Sequence, residues 1–128
     1  MSETLIGLVG QYSPSGSESA VAQWLVERMK ALGYEKSFVD EAGNAVGVIG
    51  KGTRQIVLLG HIDTVPGEIP VRVEEGVLYS RGAVDAKGPL ACFTDAAAQC
   101  GVTEGWQVVV IGAVEEERDS KGAYYAVG

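Results

Sequence analysis

The sequence predicts an α/β fold, a three-layer arrangement of a mixed, largely parallel sheet with flanking helices. Two strongly apolar, β-favouring runs, residues 56–59 and 108–114, each end abruptly in a segment that carries histidine or acid. Between them lies an alanine-rich stretch, residues 89–99, whose small side chains suit a helix packed closely on a sheet. Strands that alternate with helices in this way are typical of α/β proteins.

The first predicted helix covers residues 17–32, because apolar side chains recur there at helical spacing. Ser17 can cap its start and Gly33 can end it. Residues 56–60 are predicted to form a buried, central strand. The other predicted elements are, in order, strands at 37–39 and 45–49 around a turn at Gly43-Asn44, a hairpin of 71–73 and 77–79, a helix at 89–99, a strand at 107–114 and a helix that begins at Ser120.

His61, the only histidine in the chain, follows the predicted buried strand, and Asp63 lies two residues later. Open α/β sheets place their chemistry at the carboxyl ends of their strands, and alternation along a strand sends both side chains to the same side. Imidazole binds zinc well when a carboxylate orients it. The alternative is a lone histidine that is hydrogen-bonded within the core.

Two further acidic segments have similar settings. Asp85 lies in a glycine-rich loop just before a predicted helix, where an aspartate also serves as a helix cap or a turn residue. Glu115, Glu116 and Glu117 directly follow the strand at 107–114, although a charge run is usually a solvated loop. Loop or strand ends that carry histidine and acid converge on one edge of a parallel sheet, so together they predict a metal site.

Three segments carry a resemblance to a known family: residues 61–67, residues 81–88, and residues 115–117 with Gly122-Ala123. They resemble the first three signatures of the two-zinc aminoacylase and carboxypeptidase family, whose fold is that of zinc-dependent exopeptidases. The family includes glutamate carboxypeptidase, acetylornithine deacetylase and succinyl-diaminopimelate desuccinylase. The resemblance runs from the amino-terminal helix to residue 128.

Within that family, residues 40–47 and 114–117 are most similar to the hydrolase that releases lysine or ornithine from an amino-group carrier protein. The resemblance therefore implies a hydrolase of amino-acid biosynthesis, acting on lysine or arginine precursors. Two alternatives stay open. The chain resembles in the same way a deacylase of the acetylornithine or succinyl-diaminopimelate type, or a dipeptidase, and it could also be a non-catalytic α/β fragment.

The resemblance also implies residue roles. His61 and Glu117 are expected to bind different zinc ions, Asp85 to bridge both, Glu116 to act as general base, and Asp63 to hydrogen-bond His61 and orient it. Two zinc ions per complete active site are expected, with cobalt as a possible substitute. This register aligns the family's glycine-alanine pair on residues 122–123, whereas a shift by one residue makes Glu115 the base and Glu116 the ligand.

The family carries further metal ligands and an inserted dimerisation domain that have no counterpart here. The resemblance therefore implies that residues 1–128 are the amino-terminal part of a catalytic domain, without the dimerisation domain and the carboxyl-terminal part. We expect these residues to be inactive alone and the complete enzyme to be a homo-oligomer. Its substrate is expected to be a small molecule or an amino acid linked to a carrier protein. Lys87 and Arg81 are interpreted as loop and surface residues.

Composition excludes some classes of partner. The net charge is −7 in 128 residues, which argues against nucleic acid and anionic membranes as partners. There is no apolar run of about 20 residues and no basic, then apolar, amino-terminal segment of the kind that directs secretion. Cys92 and Cys100 lie about 12 Å apart on the predicted helix, too far for a disulfide. We therefore expect reduced, buried thiols and a cytoplasmic location.

Overall fold

The computed structural model describes residues 2–127, which form one four-stranded sheet, one two-stranded hairpin and four helices. The helices are α1 (Glu3–Val9), α2 (Ser19–Ala31), α3 (Lys87–Cys100) and α4 (Lys121–Val127). The strands are β1 (Lys36–Val39), β2 (Ala45–Gly50), β3 (Arg54–His61), β4 (Arg72–Glu74), β5 (Val77–Tyr79) and β6 (Trp106–Ala113). Every predicted element is present with ends shifted by a few residues, and α1 is an addition.

The four-stranded sheet has the order β1-β2-β6-β3. Its strands pair antiparallel from β1 to β2 and from β2 to β6, and parallel from β6 to β3. The predicted mixed sheet is confirmed, but among the described strands the parallel pairing is the minority. Strand β3 lies at an edge, so the prediction of a central strand is wrong for these residues. The parallel pairing needs a crossover, which α3 supplies.

Helices α1, α2 and α3 cover one face of the sheet. Gly112 in β6 shows this directly, because a Cβ atom there would meet Leu25 of α2 and Leu90 of α3 at once. Helix α1 packs on α3 and α2. The core between these helices and the sheet includes the fully buried side chains of Leu8, Val21, Leu25, Met29, Leu90 and Val110.

The opposite face of the sheet is covered unevenly in residues 2–127: Val46 and Ile111 in the two middle strands are buried, whereas the outer strands are exposed. One row of side chains crosses all four strands on that face, because each member pairs with the next across neighbouring strands: Phe38, Val46, Ile111 and Leu59. Phe38 and Leu59, at the two ends of the row, are each more than two-fifths exposed. Strand β3, at the edge of the sheet, is largely exposed instead of buried as predicted.

The start of α2 and the cysteines also differ from expectation. The helix begins at Ser19, and Glu18 is its N-cap residue without a side-chain capping bond, so Ser17 is not the cap. Both Cys92 and Cys100 are free but exposed, because the buried stripe of α3 lies on its other side, at Leu90, Ala91, Thr94 and Ala97. The thiols are therefore not buried. Among residues 2–127 no helix is long and apolar enough to cross a membrane.

Candidate metal centre

The paired ends of β3 and β6 bring two of the predicted motifs together. His61 is the last residue of β3 and lies opposite Ala113, the last residue of β6, so Glu117 comes only a short turn later. Asp85 reaches the same place from the loop before α3. One ligand atom from each of His61, Asp85 and Glu117 lies within 4.8 Å of the others. The three predicted metal ligands thus form one cluster.

The imidazole of His61 has a defined orientation. Its Nδ1 atom lies 2.9 Å from the main-chain oxygen of Asp63 and 3.2 Å from Asp63 Oδ1. A carbonyl oxygen can only accept, so Nδ1 carries a proton and donates it. In the neutral ring the lone pair is then on Nε2. That atom faces three carboxylates, at 3.1 Å from Asp85, 3.5 Å from Glu116 and 4.0 Å from Glu117.

Asp63 is completely buried, so its carboxylate is not exposed to solvent. Its Oδ1 accepts from His61 Nδ1 and from the backbone N–H of Glu116, at 3.2 and 3.0 Å. Its Oδ2 accepts from the Ser15 hydroxyl at 2.5 Å and from the backbone N–H of Glu117 at 3.0 Å. One carboxylate therefore ties the histidine to the glutamate loop.

These contacts shift the pKa values at the centre. The hydrogen bond to Asp63 is the largest of several effects that raise the pKa of His61 from 6.5 to about 9, against the opposing effect of burial. Burial by itself would raise the pKa of Asp63, but bonds from His61, Ser15 and the two backbone N–H groups lower it to about 2. Desolvation, and then the charges of Asp85 and Glu116, raise the pKa of Glu117. Crowded acids around an imidazole are an arrangement that a cation stabilises.

The three consecutive glutamates have different surroundings. Glu115 has a positive φ of 58°, and its carboxylate pairs with Arg118 at 3.1 Å and Lys121 at 3.8 Å. The carboxylate of Glu115 therefore contacts basic side chains outside the cluster, whereas the carboxylates of Glu116 and Glu117 both face His61 Nε2. The alternative that this charge run is merely a solvated loop is therefore incomplete, because each of the three carboxylates has an ionisable partner within 4.0 Å.

The loop around Asp85 leads directly into α3. The N-cap residue of that helix is Ala86, without a side-chain capping bond, so Asp85 is not a helix cap. Lys87, the first residue of α3, is only 1% exposed, and its Nζ donates to the main-chain oxygen of Gln11 at 2.9 Å. Burial lowers the pKa of Lys87 to about 8. The interpretation of Lys87 as a surface residue is therefore wrong.

Sequence reasoning missed several residues that support the centre. Besides Ser15, the Ser13 hydroxyl donates to the main-chain oxygen of Ile62 at 2.7 Å. Asn44 is fully buried, donates to Asp40 and to the main-chain oxygen of Gly122, and accepts from the N–H of Val114. A Cβ atom at Gly122 would overlap the side chain of Asn44, which explains the glycine there. The Gly43-Asn44 turn was recognised, but nothing in the spacing linked it to residue 114.

A cavity of about 430 Å³ adjoins the cluster. Asp85 and Glu117 form part of its wall, beside the apolar side chains of Val65, Ile69 and Leu78. A small organic molecule bound there would lie next to the candidate ligands. Cavities of this size that combine apolar walls with a few polar groups are typical of small-molecule sites.

The donor set fits a divalent metal. One imidazole nitrogen and two carboxylates are ligand types that zinc accepts, and the orientation of His61 by Asp63 is the support that metal-bound histidines usually have. Three donor residues are one fewer than the four ligands that a zinc ion usually has.

Comparison with known proteins agrees with this fold. The model of the peptidase family M20/M25/M40 matches residues 57–128, more than half of the chain. The chain belongs to this family, which confirms the resemblance seen in its motifs.

Two curated relatives are named as hydrolases of LysW conjugates. The LysW-lysine hydrolase of Deinococcus radiodurans is 52% identical over 119 residues, which are 90% of this chain and 33% of the relative. The LysW-lysine/LysW-ornithine hydrolase of Saccharolobus islandicus is 35% identical over 121 residues, 94% of this chain and 34% of the relative. The chain thus spans about a third of the length of the curated relatives it matches.

Solved structures show the same fold. A tripeptidase from Staphylococcus aureus superposes with a TM-score of 0.74 at 29% identity, over 94% of this chain and 37% of that one. The LapA aminopeptidase of Legionella pneumophila gives a TM-score of 0.76 at 24% identity, over 98% of this chain and 36% of the other. The second likeness concerns the fold alone.

Proposed function

We propose that the whole protein is a metal-dependent amide hydrolase that releases lysine or ornithine from the carrier protein LysW. The observation that carries the reaction class is the cluster in which Asp85 and Glu117 face Nε2 of His61. The substrate class is supported by the relatives named as LysW hydrolases, at up to 52% identity over most of this chain. Such an enzyme serves the biosynthesis of lysine or arginine.

In this proposal His61, Asp85 and Glu117 would hold the metal, and the complete site would take two zinc ions that share Asp85 as a ligand. Cobalt is a reasonable substitute because it accepts the same ligand types. When bound, zinc lowers the pKa of a coordinated water molecule to about 7 and so supplies hydroxide at neutral pH. Asp63 keeps Nδ1 of His61 protonated, so that Nε2 is the nitrogen available as a ligand.

Glu116 is the proposed general base. Its carboxylate is half-exposed, lies 3.5 Å from His61 Nε2 and therefore borders the cluster without being enclosed by it. Its backbone is held by Asp63. A carboxylate in this position can take a proton from the attacking water and deliver it to the leaving amine. The ion pairs of Glu115 with Arg118 and Lys121 support this register over the one shifted by a residue.

The remaining parts of the proposal concern the whole protein. Its relatives are about three times as long as this chain, which supports the view that residues 1–128 are the amino-terminal part of the catalytic domain. The missing zinc ligands and a dimerisation domain would then lie in the rest of the protein, which we propose to be a homo-oligomer in the cytoplasm. The cavity beside Asp85 and Glu117 is the proposed place for the substrate's scissile amide.

The test is a substrate comparison with the full-length protein in zinc or cobalt. LysW-lysine and LysW-ornithine are compared with acetylornithine, succinyl-diaminopimelate and a set of dipeptides, and the released amino acid is measured. We expect the highest kcat/KM for a LysW conjugate and loss of turnover in Glu116→Gln. A higher kcat/KM for an acylated amino acid or a dipeptide contradicts the substrate assignment. If the protein hydrolyses none of these compounds, the proposed reaction class is wrong.

A further inference from the structure

The segment between α1 and α2 runs alongside the residues that come after β3. The backbones of Ser13 and Ser15 exchange hydrogen bonds with Thr64: Thr64 N–H donates to Ser13 at 2.9 Å, and Ser15 N–H donates to Thr64 at 3.1 Å. The Ser13 hydroxyl adds a bond to Ile62. This segment therefore supports the His61-Asp63 loop over its whole length.

The same segment also holds the glutamate loop. Glu18 accepts from the backbone N–H of Glu115 at 2.7 Å, and Arg118 donates to the main-chain oxygen of Ser15 at 2.7 Å. Residues 13–18 thus contact both loops that carry the candidate ligands. Gly16, at a positive φ of 92°, provides the bend and lies against Arg118.

Ser15 occupies the central position in this arrangement. Its hydroxyl donates to Oδ2 of Asp63, the oxygen that also accepts from Glu117 N–H, while Oδ1 accepts from His61 and Glu116. In the described part of the chain, Ser15 and His61 are the only side chains that donate to this carboxylate. The Ser15 bond opposes rotation of the carboxylate, and such a rotation would move His61 relative to Glu117.

We propose that Ser15 is a positioning residue: by fixing the carboxylate of Asp63 it sets the spacing between the candidate ligands His61 and Glu117, and so the affinity for the metal. This inference rests on the proposed metal centre. Within residues 2–127 the Ser15 side chain donates to Asp63, makes no hydrogen bond to His61, Asp85 or Glu117, and does not line the cavity, so its effect acts through Asp63.

The experiment titrates the metal-free, full-length protein with Co²⁺ and follows visible absorption, which reports both affinity and ligand geometry. The variants are Ser15→Ala, which removes the hydroxyl, Ser15→Thr, which keeps it, and Ser17→Ala as the matched control. Ser17 lies in the same segment and is exposed, and its side chain makes no hydrogen bond within residues 2–127. Thermal unfolding of each metal-free variant is measured in parallel.

We expect Ser15→Ala to weaken cobalt binding roughly tenfold, at the lower end of the range for groups behind a metal ligand. Ser15→Thr should bind as the parent does, and Ser17→Ala should change nothing. If Ser15→Ala lowers only the unfolding temperature and binds cobalt like the parent, Ser15 is merely structural and the proposal is wrong. Should Ser15→Ala fail to fold, Ser15→Cys takes its place, because the thiol is similar in size but a weak donor. Weaker cobalt binding by Ser15→Cys supports the proposal, and binding like that of the parent contradicts it. A parent protein that binds no cobalt overturns the proposed metal centre itself.

Discussion

Nδ1 of His61 lies 3.2 Å from Oδ1 of Asp63, and this contact directs Nε2 of the same ring toward the acidic cluster. Nδ1 therefore donates a hydrogen bond to Asp63, and Nε2 is the nitrogen that faces the carboxylates. Without a metal, a proton on Nε2 is the cation that the surrounding carboxylates stabilise. Metal binding and proton binding at His61 thus compete, and both should be measurable as stability.

The first prediction concerns the pH dependence of the metal-free protein. The pKa of His61 is raised from 6.5 to about 9 in the folded chain, so its contribution to stability is fully present below pH 6.5 and is lost as the pH rises through 9. Between pH 6.5 and 8 the free energy of unfolding should fall by about 1.5 kcal/mol. Above pH 8 the lowered pKa of Lys87 acts in the opposite direction, which sets the upper limit of the window.

Denaturant unfolding in the presence of a chelator measures this dependence. His61→Gln is the control, because it removes the titrating group and should remove this part of the slope. A parent protein whose unfolding free energy changes with pH no more than that of His61→Gln would contradict the assignment.

The second prediction is that zinc or cobalt stabilises the folded chain. The metal binds only the assembled cluster, so a concentration a hundredfold above its dissociation constant adds about 2.7 kcal/mol. A thermal scan should show the melting temperature rising by several degrees. Asp85→Asn should lose most of this shift, whereas Glu104→Gln, exposed before the start of β6, should keep it. No shift at millimolar metal in a folded parent excludes the site.

The third prediction separates the three glutamates in the full-length enzyme. Glu116→Gln should retain metal while turnover falls by at least about 10²-fold, because it removes the general base and keeps the size of the side chain. Glu117→Gln should lower metal affinity, because it removes an anionic ligand. Glu115→Gln should do neither strongly, since its carboxylate is engaged by Arg118 and Lys121.

Metal analysis and steady-state kinetics on the same preparations distinguish these outcomes. Loss of turnover in Glu115→Gln together with normal metal content in Glu117→Gln would mean that the register is shifted by one residue. If none of the three substitutions alters turnover or metal content, this segment is not part of a metal-dependent active site.

The fourth prediction concerns residues 1–128 expressed alone. The exposed apolar side chains of Val57 and Leu59 and the free edge of β3 should make them self-associate. Leu59→Lys should weaken the association, because Leu59 is one of these side chains and is 43% exposed. Val71→Lys is the matched control, with 41% exposure outside the four-stranded sheet. Light scattering that reports a monomer over a wide concentration range would refute the prediction.

The helices and strands could be predicted where the signal was local. Apolar spacing marked α2, an alanine-rich stretch marked α3, and β-favouring runs marked β3 and β6. The short α1 was missed, because seven residues carry little periodicity and its start depends on a bond from Leu5 N–H to Ser2. The candidate ligands were found because histidine and glutamate directly after strands, and aspartate in a glycine-rich loop before a helix, stand out in the sequence itself.

The sequence by itself determined every element except α1, the family resemblance and the candidate site residues, since each of these is encoded by neighbours along the chain. Only the tertiary structure decided that β3 lies at an edge, that Lys87 is buried, and that Ser15 holds Asp63. The Ser15 contact joins residues 48 apart, and the bond from Val114 to Asn44 joins residues 70 apart. Hydrogen bonds across such separations leave no periodic pattern, because they depend on how the packed elements bring distant backbone segments together.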